Sequence, residues 1–118
     1  EAKGYLEEAE NWYERATKEA PYLREGYIEL ANLYLKENRY QEAYENMQKA
    51  SLITEKSKSY INEEFAWNDA FYDIYSLAAF YTGHYDEAIN YVKQAIALND
   101  KEERYQKNLE LMLPYQTN

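Results

Sequence analysis

The sequence predicts an all-α chain built from antiparallel helix pairs. Three observations predict it. Similar segments recur along the chain. Small and large apolar residues repeat within them at helical spacing. Glycine and proline number only three and two in 118 residues, so turns are short and the backbone is mostly regular.

The recurrence fixes the elements in order. GYLEEAENWYERATKEAP at Gly4–Pro21 aligns with NRYQEAYENMQKASLITE at Asn38–Glu55, 34 residues on. Ala9 falls on Ala43, Tyr13 on Met47 and Ala16 on Ala50. A third copy, GHYDEAINYVKQAIALND, runs from Gly83 to Asp100 with Ala88, Val92 and Ala95 in the same places. EGYIELANLYLKEN and DAFYDIYSLAAFYTG precede the last two copies and read as the first helices of their pairs. The expected organisation is a partial repeat over 1–21, a second repeat over 22–57, an insert at 58–68, a third repeat over 69–100 and a capping helix over 101–113. Fixed-period self-similarity of this kind marks a stacked-repeat architecture.

Each segment has a physical reading. Ala31, Ala43, Ala50, Ala88 and Ala95 let two helix backbones approach, and Tyr27, Leu30, Tyr34 and Met47 fill the space between pairs. Asn38 and Gly83 suit a left-handed position just past a helix end. In NDKEERYQKNLELMLP, Asp100 is the expected N-cap with Glu103 at capping-box spacing, Tyr105, Leu109 and Met112 form one apolar stripe, and Pro114 ends the helix. A cap is expected because a terminal repeat otherwise exposes its inner face. The opposite end lacks such cover. The helix from about Tyr5 to Lys18 is expected to show Trp12 and Tyr13, which reads as a raw end of a longer protein prone to self-association.

The insert KSYINEEFAWN accounts for the 45 residues, rather than 34, that separate Tyr40 from Tyr85. Asn62 followed by Glu63 and Glu64 reads as an N-cap and acidic first turn, so the first helix of the third repeat is expected to begin near Glu63. Phe65 and Trp67 would then wall one end of a groove.

Composition narrows function. The net charge of −9 repels phosphate backbones and anionic membrane surfaces. No run of 18 apolar residues offers a transmembrane helix. The absence of cysteine removes disulfides, thiol catalysis and thiolate–zinc sites, and is compatible with the expected cytoplasmic setting. His84 is the sole histidine and sits in the turn TGHYDEA, where an N-cap or exposed polar residue belongs. One histidine builds no histidine-rich metal site, and no EF-hand loop appears, which leaves open only an oxygen-only calcium or magnesium site. The acidic pairs Glu7–Glu8, Glu63–Glu64 and Glu102–Glu103 point about 100° apart on a helix. Two of the pairs sit near expected helix starts, where acidic residues favour the helix dipole, which fits better than a glycosidase. No glycine-rich phosphate loop is present. Neither cofactor nor catalysis is expected in this stretch.

With Tyr27, Leu30, Ala31, Tyr34, Tyr40, Ala43, Met47 and Ala50 in one repeat, and Tyr72, Tyr75, Ser76, Ala79, Gly83, Tyr85, Ala88, Val92 and Ala95 in the next, the pattern resembles the tetratricopeptide repeat. That resemblance implies a right-handed helical solenoid whose first helices line a concave groove for peptides or docking helices. The corresponding groove residues are Glu25, Ile28, Glu29, Asn32, Leu35 and Lys36, then Ala70, Asp73, Ile74, Leu77, Phe80 and Tyr81, with Leu77 and Phe80 equally suited to helix packing. The subclass that grips chaperone carboxylate tails uses basic residues here. This chain has Ile28, Glu29, Ala70, Asp73 and Ile74 at those places, and only Asn32 fits. A mixed apolar and acidic groove suits a basic or amphipathic partner, or another part of the same polypeptide.

A narrower resemblance is to the helical region that follows the catalytic domain of bacterial family 2 glycosyltransferases. It rests on Trp67, Tyr72, Asp73, Ser76, Ala78 or Ala79, and Tyr81, with Arg24 and Glu25 at the entry and Gly26 departing from the proline found there. It implies an accessory role: presenting an acceptor, docking on the catalytic domain, or oligomerising. Sugar stacking on the aromatics near Trp67 is a weaker alternative, since most such rings belong to the core.

Overall fold

The computed structural model describes residues 2–54 and 68–117, with side chains described from residue 7. Among the described residues there are six α-helices, one 3-10 turn and no strand, so the fold is an all-α helical repeat. The chain divides into two compact units, Glu1–Glu63 and Glu64–Asn118.

The first unit holds α1 (Ala2–Glu19), α2 (Arg24–Lys36) and α3 (Tyr40–Ser51). The links are short, residues 20–23 and 37–39, so successive helices run antiparallel. Ile28, Ala31, Ala43, Met47 and Ala50 have no exposed surface. The alanines thus sit where the sequence places close backbone approach. Gly26 extends that logic to α1, since a Cβ there would stand 3.0 Å from Thr17 Cγ2. Arg24 Nε donates to the carbonyl of Ile53 at 2.6 Å, tying the start of α2 to the stretch after α3.

The second unit holds α4 (Asp69–Tyr81), α5 (Tyr85–Leu98), α6 (Glu103–Met112) and the 3-10 turn Leu113–Tyr115. Ala78, Ala79, Ala88, Val92 and Ala95 are fully buried between α4 and α5. Tyr75 and Tyr91 stack with ring centres 4.1 Å apart, joining the same two helices. α6 packs on α5 with Tyr105 and Met112 buried.

Both helix hairpins turn alike. Asn38 has φ 61° and Gly83 φ 86°, the left-handed conformation expected of them. In each, the next N–H reaches back across the turn: Arg39 to the Tyr34 carbonyl and His84 to the Ala79 carbonyl, both at 2.8 Å. This is a Schellman closure, which satisfies carbonyls that the helix end leaves open.

Two expected helix starts are corrected. α4 begins at Asp69, not near Glu63, because Asn68 is extended and its side chain accepts from the Ala70 N–H at 3.1 Å. An N-cap asparagine marks a helix start by satisfying one of its open N–H groups. Asn62, Phe65 and Trp67 lie outside the described residues. α6 begins at Glu103 with Glu102, not Asp100, as its N-cap; the Glu102 carboxylate accepts from the Arg104 N–H at 3.4 Å. Pro114 falls within the 3-10 turn that follows α6.

Candidate protein-binding surfaces

On α2, periodicity places Glu25, Ile28, Glu29, Asn32 and Lys36 along one row. Ile28 departs from that expectation, since it has no exposed surface and belongs to the core. An apolar residue between partly accessible polar ones is drawn inward by the area it removes from water. Glu25, Glu29 and Asn32 are half-buried and Lys36 is exposed.

A second concavity in the same unit was not legible as a site in the sequence. α1 and α3 both pack on α2, and the gap between them forms an open cleft of about 470 Å³. Tyr27, Leu30 and Tyr34 of α2 line it. One wall comes from α1 with Glu14 and Lys18, the other from α3 with Glu42, Glu45 and Lys49. The sequence assigns Tyr27, Leu30 and Tyr34 to packing; Leu30 and Tyr34 are buried at the floor of the cleft, and Tyr27 stays partly accessible.

Arg39, in the turn after α2, gathers charge beside this cleft. Its Nη1 lies 2.7 Å from Glu10 Oε1, its Nε donates to Glu42 Oε1 at 2.8 Å, and its Nη2 bonds the other Glu42 oxygen. The guanidinium also sits 4.4 Å from the centre of the Tyr34 ring, whose hydroxyl donates to Glu10 Oε2 at 3.1 Å. Hydrogen bonding to Glu42, then to Glu10, holds Arg39 more firmly protonated than usual. The same bond from Arg39 holds the Glu42 carboxyl below its ordinary range. Burial, then the Glu10 charge, pushes the Tyr34 hydroxyl upward.

On α4, the expected row is Asp73, Leu77 and Tyr81. Asp73 departs from it: the residue is buried, and Arg104 of α6 grips both carboxylate oxygens at 3.0 and 2.9 Å. A planar guanidinium matches a carboxylate in this two-point manner. The charge read as part of a groove therefore secures the capping helix. Asp69 does the same one turn earlier, accepting from the Tyr105 hydroxyl at 2.6 Å and from Asn99 Nδ2 at 3.3 Å. Leu77 is half-buried, and Tyr81 is 53% exposed. Phe80 packs edge-on against Tyr115 of the 3-10 turn at 5.1 Å, the packing role the sequence left open.

His84 occupies the N-cap position of α5, with Nδ1 2.8 Å from Thr82 Oγ1. No group of three or more metal-ligating side chains gathers among the described residues. Nor is any described helix long and apolar enough to cross a membrane.

A family model described as tetratricopeptide repeat matches residues 25–57 and 70–102, together more than half of the chain. Among solved structures, the chain is similar to the crystal structure of MamA, with a TM-score of 0.78 and 22% identity. That match covers 96% of this chain and 60% of the other, so the chain spans less than two thirds of the MamA structure. At this identity the likeness speaks for the fold alone. No curated protein matches.

Proposed function

Because the chain belongs to the tetratricopeptide repeat family, we propose that it is a non-catalytic interaction scaffold that binds a basic or amphipathic protein segment on the accessible faces of its first helices. The observation that carries this reading is the polar row on α2. Glu25, Glu29 and Asn32 stay partly accessible on a helix otherwise rich in core residues. With a net charge of −9, this row favours a positively charged partner. In the second unit, taken by itself, Leu77 and the exposed Tyr81 of α4 offer a separate apolar surface. Ile28 and Asp73 are left out of the binding set, because both are committed to packing. Affinity capture should compare the wild type with Glu29→Lys/Asn32→Ala and with Tyr81→Ala, all checked for helicity. Loss of the captured partner in these variants is expected; an unchanged set of partners rejects the assignment.

A second reading is self-association through α1. Trp12 is 67% exposed, and Ala9 and Tyr13 lie beside it around a shallow hollow. Large exposed aromatics of this kind favour contact with another surface. Mass measured by light scattering should rise with concentration for the wild type and stay monomeric for Trp12→Glu. A wild type that remains monomeric at high concentration rejects it.

The glycosyltransferase-accessory reading has less support. Of the residues behind it, Asp73 serves Arg104, Ser76 is buried with its hydroxyl on the Asp73 carbonyl, and Trp67 is outside the described residues. The comparisons add nothing to it. A nucleotide-sugar domain in the same polypeptide would restore it.

A further inference from the structure

The cleft between α1 and α3 carries a charge order that the α2 row does not use. On α1, Glu14 is followed four residues later by Lys18; on α3, Glu45 is followed four residues later by Lys49. All four line the cleft. Both helices run antiparallel to α2, so the two walls present acid and base in the same direction. The base follows the acid by about 6 Å of helix rise.

Glutamate–lysine pairs at this spacing often close on themselves along a helix. Here they do not. Among the described residues, ion pairs are formed by Arg39 and Arg104, and none involves these four side chains. Glu45 instead accepts from Gln41 Nε2 at 3.2 Å. Arg39 bridges Glu10, Glu37 and Glu42, and its single positive charge leaves that end net negative, which adds to the carboxylates of Glu14 and Glu45. The result is a dipolar cleft, acidic at one end and carrying two ammonium groups at the other, over Tyr27.

An extended peptide advances about 3.3 Å per residue, and its residues i and i+2 face the same way. Two such residues span about 6.6 Å, close to the spacing of the walls. We propose that this cleft binds an extended peptide segment carrying a lysine or arginine and, two residues away, an aspartate or glutamate. The basic side chain lies between Glu14 and Glu45, and the acidic one between Lys18 and Lys49. The residue between them points outward, and the peptide's flanking apolar groups rest on the partly accessible Tyr27 ring. This site is independent of the α2 row.

The test is fluorescence polarisation of the full chain with three labelled peptides, acetylated and amidated to remove terminal charge. They contain Lys-Leu-Glu, Lys-Leu-Leu-Glu or Lys-Leu-Leu in the same neutral surround. The first is expected to bind about threefold tighter than the other two, the effect of placing a second, solvent-exposed charge pair. Lys18→Glu/Lys49→Glu should abolish the preference for Lys-Leu-Glu over Lys-Leu-Leu and favour a fourth peptide containing Lys-Leu-Lys. Both lysines are exposed, so the variant should keep its helicity by circular dichroism. Equal affinity for the three peptides overturns the proposal. So does an unchanged ranking in the double variant, or binding that is lost in Glu29→Lys and kept in Lys18→Glu/Lys49→Glu.

Discussion

Gly26 illustrates how much one hydrogen atom decides. Its neighbour is Thr17 Cγ2, and the Thr17 hydroxyl donates to the Glu14 carbonyl at 2.8 Å, which fixes the rotamer and holds that methyl in place. A Cβ added at residue 26 therefore meets an atom that gives little. Alanine would gain about 1 kcal/mol of helix propensity over glycine. Overpacking costs about 1–3 kcal/mol, and with the rotamer pinned the cost should prevail. Gly26→Ala should unfold at lower urea than the wild type, while Gly26→Ala/Thr17→Ser should recover most of the loss because serine lacks the methyl. A Gly26→Ala as stable as the wild type refutes this packing. The sequence marks residue 26 only as a departure from proline. Its partner lies nine residues earlier on another helix, and no periodic pattern reports it. Asn38 and Gly83 are the opposite case: their left-handed turns are local chemistry and were legible directly.

At the level of elements, the flanking helices α1 and α6 are each secured by a tyrosine hydroxyl bonded to a carboxylate. Tyr34 bonds Glu10, and Tyr105 bonds Asp69. Both hydroxyls are pushed upward, first by burial and then by those carboxylates. A group whose folded pKa is raised contributes stability that is complete below its unfolded value and lost as pH rises through the folded one. The unfolded value for tyrosine is about 10. The wild type should therefore lose stability above about pH 10. Tyr34→Phe/Tyr105→Phe should be less stable at pH 8, by about 1–3 kcal/mol for each hydrogen bond to a charged group. Its stability should fall less steeply above pH 10. Denaturant melts across pH, read by circular dichroism, check this; equal alkaline slopes in the two proteins refute it. The helices themselves were legible, because small residues recur at a fixed offset. Their ends were less so, since acidic and amide residues are common enough that Asn62 and Asn68, or Asp100 and Glu102, compete for one cap. The surface rows were read by rotation alone. Rotation cannot report that Arg104, in a later helix, would claim Asp73.

For the whole molecule, charge sets the expected behaviour. With 22 acidic against 13 basic side chains, the chain attracts basic partners from a distance and the attraction is screened by salt. Association with a basic peptide on the α2 row should weaken when ionic strength rises from about 0.05 to 0.5 M, mainly through a slower on-rate. Stopped-flow association across that range measures it, and a salt-independent on-rate removes the electrostatic part of the proposal. Fold class was legible at this scale because a stacked repeat writes one pattern several times. The cleft was not, since it arises from the space three helices leave between them, and residues read as packing border it.

The two arginine ties also carry a consequence for the order of events in folding. Arg39 reaches Glu10 across 29 positions of chain, and Arg104 reaches Asp73 across 31. The hairpins α2–α3 and α4–α5 close through turns of three residues, 37–39 and 82–84. Loop closure favours near contacts over far ones, and topologies rich in local contacts fold fast. The hairpins are thus expected to form in the transition state, with the ties closing behind it. Arg39 and Arg104 then act chiefly as brakes on unfolding: their removal should accelerate unfolding while leaving the folding rate nearly unchanged.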